Sequence, residues 1–236
     1  MLGTVDALWR YPVKSMGGER HGSLTLDERG VVDDRRWALR TADRRLASGK
    51  TSARSARFQR IDGLLDWAVT LDGEVPVITT PAGEELRSTD ADIHDRLSAQ
   101  LDQPVTLEVE EDDPHFDRAP IHVLTTASLR WLRSLLPESA IDERRFRPNV
   151  LLDVAGDTPV EADWIGHDLH LSADVVLRVR ELTERCVMTT LAQLDLPKDP
   201  LVLRAIAQHA DARFGVYADV VQGGSISVAD PVAVSS

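Results

Sequence analysis

The sequence predicts a mixed β/α fold, mainly β, arranged as two β-barrel-like lobes with peripheral helices. Three observations carry that expectation. Short β-prone runs broken by turn residues fill the first 80 positions, alternating apolar patterns return after residue 150, and only three stretches show helical apolar spacing. A chain of 236 residues with 42% hydrophobic content can bury a substantial core, as one large domain or two modest ones. The expected division is 1–88 for the first lobe and 89–236 for the second, with the boundary between Pro81 and Val105.

Taken in order, residues 5–9, 23–26, 37–40, 68–71 and 75–78 read as strands, punctuated by Asp72-Gly73 and Pro81-Ala82-Gly83 as hairpin or loop residues. A first helix follows, with Thr89 or Asp90 as N-cap and Ile93, Leu97 and Leu101 on one face. After a strand at 105–109, the acidic run 110–113 reads as a solvated loop without function. A strand at 121–124 leads into Thr125-Thr126, which cap a helix whose Leu129, Leu132 and Leu136 form an apolar stripe ending before Pro137. Strands are expected at 150–154 and 168–171. From Val175 the apolar residues Val175, Leu177 and Val179 alternate with Val176, Arg178 and Arg180, in a half-buried strand that leads toward Cys186. Pro200 opens a helix over 200–210 supported by Val202, Ala205, Ile206 and His209, and strands at 216–221 and 226–228 close the chain.

The formal charge of −12, from 39 acidic and 27 basic residues, repels phosphate backbones and anionic lipid, so neither nucleic acid nor a membrane is an expected partner. No run approaches the ~20 apolar residues that cross a bilayer, and Asp6 and Arg10 interrupt the opening where a signal peptide is apolar. Cys186 is the only cysteine and cannot form an intramolecular disulfide, which fits a reducing, cytoplasmic location. Walker, Rossmann, nucleophile-elbow and paired-cysteine patterns are missing from the sequence. His167 and His170, three apart on a strand, point to opposite faces and make a poor ligand pair. His115 could meet a cation beside Asp112 or Asp117, but no orderly ligand spacing supports that.

A scattered set remains: Lys14-Ser15 after Tyr11-Pro12, Arg35 before Trp37, Arg147 and Asn149 around Pro148, and Arg185-Cys186 ahead of Thr189-Thr190. Each has a bland reading, since an arginine beside a tryptophan can simply stack and a single cysteine is commonly a small buried hydrophobe. Together they propose a pocket with cationic forks for phosphate, amide and hydroxyl groups for ring heteroatoms, and one soft thiolate for a metal.

The run from Leu8 through Trp9-Arg10-Tyr11-Pro12-Val13-Lys14 to Ser15 is followed by Gly30 with Asp34-Arg35-Arg36-Trp37. Then come Leu124-Thr125-Thr126-Ala127-Ser128-Leu129, Phe146-Arg147-Pro148-Asn149, Arg185-Cys186-Val187-Met188-Thr189-Thr190 and Phe214-Gly215-Val216-Tyr217. This ordered set, spread over nearly the whole chain, resembles the MOSC family, named for the C-terminal domain of molybdenum cofactor sulfurase, in the form that carries a MOSC N-terminal β-barrel domain. The resemblance implies a molybdenum cofactor (Mo-molybdopterin) held between the lobes, with Cys186 as metal ligand and catalytic residue. It implies that Lys14, Ser15, Arg35, Thr125, Thr126, Arg147, Asn149 and Arg185 line the pterin and phosphate. Pyridoxal phosphate enters only as a family association and is not expected.

The family's enzymatic members, amidoxime-reducing components among them, reduce N-hydroxylated small molecules such as amidoximes and hydroxylamines. Their electrons come from a separate redox protein, and this chain would need such an external electron-transfer partner. The alternative is a cofactor carrier or sulfur-transfer protein with Cys186 as a persulfide; a third reading is a binding module with an inert Cys186. The sequence departs from relatives at Thr183, where many carry a second cysteine, at Glu184, where a smaller residue is common, and at Ala229, where a glycine is usual. The stretch 194–211 is also shorter than in many of them.

Overall fold

The structure, a computed structural model, describes residues 1–50 and 56–235. In the first part of the chain the strands are Gly3–Arg10 (β1), Glu19–His21 (β2), Ser23–Asp27 (β3), Gly30–Val31 (β4), Trp37–Thr41 (β5), Leu46–Ser48 (β6), Phe58–Arg60 (β7), Ala68–Asp72 (β8), Val75–Thr79 (β9) and Glu85–Arg87 (β10). Helix Ile93–Leu101 (α1) and strand Val105–Val109 (β11) follow. Then come Ile121–Thr125 (β12), helix Thr126–Leu135 (α2), Val150–Val154 (β13), Asp168–Leu171 (β14), Val175–Glu184 (β15), helix Pro200–Ala210 (α3), Arg213–Gln222 (β16), Gly224–Ser227 (β17) and Pro231–Val234 (β18). The fold is mainly β, as the sequence predicts.

One sheet closes on itself. Its strands run β13-β12-β16-β15-β14-β18-β1, and β1 returns to pair with β13, which makes a seven-stranded barrel with β2 hanging on its side. The first strand is thus part of a barrel built otherwise from the second half: Gly3 pairs with Val232 on one side, and Val5 with Leu152 on the other. Val5, Leu8, Val123, Leu152, Leu177, Val179 and Val216 fill its interior, each contributing about 1.5 to 3 kcal/mol when fully buried. The alternation foreseen from Val175 holds, with Val175, Leu177 and Val179 buried and Arg178 and Arg180 exposed. Helices α2 and α3 lie outside against a second cluster that includes Leu129, Leu132, Val202, Ile206 and Phe214.

The other lobe stacks a four-stranded sheet, β11-β5-β6-β7, with a three-stranded sheet, β10-β9-β8. Its core joins Val13, Leu39 and Ile78 to Ile93 and Leu97 of α1 and to Leu107 of β11. The packing therefore runs across the 88/89 division: α1 and β11 complete the first lobe, while β1 serves the second. The Asp72-Gly73 signal is a tight hairpin in which Asp72 pairs with Val75, leaving Gly73, at φ 62°, and Glu74 as the turn. Among the described residues no helix is long and apolar enough to cross a membrane.

Several local expectations are corrected. The N-cap of α1 is Asp92, because the Asp90 carboxylate is taken by the Arg87 N–H and the chain makes a turn before the helix begins. His209 is exposed on α3, so the apolar face is Val202, Ala205 and Ile206. Strand β18 carries Pro231 at its first position, where a missing N–H is tolerated, and that proline hides the strand from sequence reading. Glu110, the first residue of the supposedly solvated acidic run, is buried and forks onto Arg29 at 2.5 Å while accepting the His115 N–H. His115 is itself fully buried, and burial lowers its pKa to about 4, against the pull of Glu110. No group of three His, Cys, Asp or Glu side chains among the described residues could hold a bare metal ion.

Ala229 turns the chain between β17 and β18 at φ 74°, donating its N–H to Val5 O at 2.8 Å. A left-handed alanine is strained by about 1 to 2 kcal/mol, of which glycine's greater unfolded-state freedom returns part. Ala229→Gly is therefore expected to stabilise the fold by about 0.5 to 1 kcal/mol, read as a higher urea midpoint with an unchanged slope.

Candidate functional site

The seam between the lobes collects positive charge. Lys14, Arg35, Lys50, Arg147 and Arg185 all lie within electrostatic reach of one carboxylate, Asp117. Three short segments deliver the sequence-predicted members through left-handed backbone: Ser15 at φ 65°, Arg35 at φ 50° and Arg147 at φ 55°. Such conformations cost of order 1 kcal/mol or more each and persist only where packing dictates them.

Lys14 is buried, with its N–H on Trp37 O, and its Nζ donates to His115 O and to Asp117 Oδ1, both at 2.6 Å. Burial lowers its pKa to about 8, against the pull of Asp117. Lys50 holds the other oxygen of Asp117 at 2.5 Å. Partial burial works against the charge of Asp117, yet the two lysines outweigh it and hold this carboxyl well below the usual range.

Arg35 pairs with Asp34, whose other oxygen takes the Tyr11 N–H at 2.7 Å. Arg35 and Arg147 both lie over the Tyr11 ring, 4.9 and 4.1 Å from its centre. Arg147 donates to Met16 O at 2.5 Å and has no carboxylate partner among the described residues. Burial and the neighbouring Arg35 lower its pKa to about 10.

Asn149 is fully buried and braces the seam. Its side chain accepts from His122 N and Arg35 and donates to Trp9 O, while its backbone bonds Trp9 N and His122 O. His122 is held neutral, its pKa driven down by burial and then by Arg185. Its ring fits only because residue 215 is glycine: a Cβ there would stand 2.5 Å from His122 Nε2, and φ is 78°.

Strand β15 pairs with β16 through three register breaks before the chain leaves the sheet, and such irregularities re-aim the residues beyond them. Arg185 turns inward, donating to Phe146 O at 2.8 Å. Cys186 is half-buried and opens a 3-10 turn, Val187–Thr190, with Val187 exposed. Lys50 and Arg185 both feel the Cys186 sulfur electrostatically. Glu184 is exposed and lines a cleft of about 450 Å³ with Arg118, Arg180 and Arg213, so its carboxylate points away from the cationic seam.

The structure thus gathers Lys14, Arg35, Arg147, Asn149, Arg185 and Cys186, with Ser15 buried beside Lys14. It gives Thr125 and Thr126 other partners. Thr125 is the N-cap of α2, accepting from Ser128 N at 3.0 Å and donating to buried Glu161 at 2.9 Å, while Thr126 bonds Asp153 and Val154 O. Sequence reading missed Lys50, and it weighed Asp117 only as a cation neighbour of His115; neither stands in a motif. Tyr11, His122 and Tyr217 carried a weak signal through their neighbours in the quoted runs.

Thr125→Val is expected to cost about 1 kcal/mol of stability through the lost cap and to leave anion binding unchanged, measured by urea denaturation and by titration with pyrophosphate. Asp117→Asn releases Lys14 and Lys50, so the same titration is expected to show about tenfold tighter binding. In the unaltered protein that affinity falls as pH rises through about 8, because Lys14 then loses its proton and its charge.

The MOSC N-terminal beta barrel domain matches residues 2–101, and the MOSC domain matches residues 95–233. Human mitochondrial amidoxime-reducing component 1 is 26% identical over 98% of this chain and 82% of its own length. The YuaD protein from Bacillus subtilis shares the fold with a TM-score of 0.56 over 99% of this chain and 96% of that one, at 14% identity. From the first barrel strand to the last, then, this chain belongs to the MOSC family.

Proposed function

We propose that the chain is a molybdenum-cofactor-dependent oxidoreductase that reduces small N-hydroxylated compounds, amidoximes and hydroxylamines, with electrons from an external redox protein. The observation that carries this reading is the pairing of a half-buried thiol with a cluster of buried and half-buried cations that outnumbers its carboxylates among the described residues. The donor set fits a pterin cofactor. Arg185 Nε is a buried guanidinium nitrogen with no hydrogen-bond partner among the described residues, and an anionic group would satisfy it. Cys186 offers one soft ligand with no cluster of others among the described residues, which suits a metal that arrives with dithiolene sulfurs of its own. Kinship with an amidoxime-reducing component supports the choice of reaction.

In this reading Cys186 ligates the metal, Lys14, Arg147 and Arg185 hold the phosphate and pterin, and Ser15, Arg35 and Asn149 shape the wall. The bound cofactor supplies the two-electron chemistry. The net reaction consumes two electrons and two protons, cleaves the N–O bond and releases water. Tyr11 and Tyr217, both raised in pKa by burial, keep their protons and act as O–H donors. Lys14 and Lys50 reach the crevice from the first lobe, so binding an anion there also fastens the two lobes together.

Purified protein is expected to carry molybdenum and pterin and to reduce benzamidoxime with an artificial electron donor. Cys186→Ala is expected to abolish turnover, and Arg147→Ala to lower cofactor occupancy by removing a charge-assisted contact of roughly 1.5 to 3 kcal/mol. Metal without turnover, or a persulfide on Cys186 without metal, supports a carrier or sulfur-transfer protein in its place. Occupancy unchanged in both variants overturns the assigned roles.

A further inference from the structure

Next to the cationic crevice, Trp9 Nε1, Tyr11 OH, Arg147 Nη2 and Gln193 Nε2 are buried and have no hydrogen-bond partner among the described residues. All four residues line one small cavity of about 20 Å³. An unpaired buried donor is costly, so a shared acceptor in the space these four residues line is favourable. The space suits a particle near the size of a water molecule, too small for a pterin or a phosphate ester. No carboxylate lines it. The guanidinium of Arg144, also in the wall, is already neutralised by Asp142 and Asp195, which leaves Arg147 as the unbalanced charge.

Water is the bland occupant, but it is neutral and offers two lone pairs to four donors. A monoatomic anion accepts from all four and balances the arginine. Two glycines let the walls of the cavity pack closely. A Cβ on Gly18 would sit 2.4 Å from the Tyr11 ring, and one on Gly17 would sit 2.9 Å from Trp67 O. Gly17 donates its N–H to that same oxygen, and Leu194 donates its N–H to Asp66, so the walls are tied to the first lobe.

We infer that this cavity is a halide site, in which chloride accepts hydrogen bonds from Trp9, Tyr11, Arg147 and Gln193 and pins the 193–194 loop to the first strand. The lowered pKa of Arg147 agrees, since a buried guanidinium without a counterion is held there at a cost. Arg147 and Tyr11 are shared with the cofactor reading, but the halide site rests on Trp9 and Gln193, which that reading does not use. The two proposals therefore stand or fall separately.

Crystals of the full chain soaked in sodium bromide test it directly: an anomalous peak is expected within about 3.5 Å of both Trp9 Nε1 and Gln193 Nε2, a halide-to-nitrogen distance slightly longer than an N–H···O bond. In solution, chloride or bromide is expected to raise Tm by about 2 to 4 °C relative to gluconate at equal ionic strength. That increment should vanish in Gln193→Leu and in Trp9→Phe. Gln193→Glu, which supplies a built-in negative charge, should reach the same Tm in gluconate as in chloride. A bromide-soaked crystal with no anomalous peak, or a halide increment that survives in both Gln193→Leu and Trp9→Phe, overturns the inference.

Discussion

The ammonium of Lys14 is a buried charge that the protein can keep only by surrounding it with acceptors. It spans from the segment after β1 to the loop before β12, bonding His115 O and Asp117 in one reach. The crevice geometry depends on that tie. The loop carrying His115 and Asp117 is held from its other end by Arg29 on Glu110, and Arg29 also bonds Asp34 O, at the root of Arg35. Two loops distant in sequence are thereby fixed against each other, and the cations they carry cannot move apart to relieve their repulsion. Asp117 shares its charge between Lys14 and Lys50 in the meantime.

Much of the architecture was legible because it depends on local pattern. The alternation at Val175, Leu177 and Val179, the Pro200 helix start and the Asp-Gly hairpin are each determined by residues within a few positions of one another. What sequence could not supply was partnership over distance. Nothing near β1 says that it joins β13 and β18, and nothing near α1 says that its Leu97 packs beside Leu39. The acidic run shows the same limit: Glu111, Asp112 and Asp113 are exposed as composition suggests, while Glu110 is buried because Arg29 waits for it.

The site divides in the same way. Residues inside distinctive runs, such as Lys14, Arg35, Arg147 and Cys186, could be named from the chain alone. Thr125 and Thr126 share a run with that set, and the structure bonds them to α2 and β13, partners that the run itself does not announce. Lys50 was invisible, and Asp117 was met only beside His115, because an isolated lysine or aspartate on a surface this charged carries little information until its neighbours are known. Left-handed backbone at Ser15, Arg35 and Arg147 was equally hidden, since none of these residues advertises that conformation as glycine would.

The position of β1 also bears on how the molecule is made. During synthesis this stave leaves the ribosome well before its partners, Val150–Val154 and Pro231–Val234. The nascent chain must carry an unpaired apolar edge until those partners have been made, a state prone to wrong pairing. The crevice, with walls drawn from Lys14 through Tyr217, comes into being only once the barrel has shut. Before that, an anion has no half-built cradle to enter.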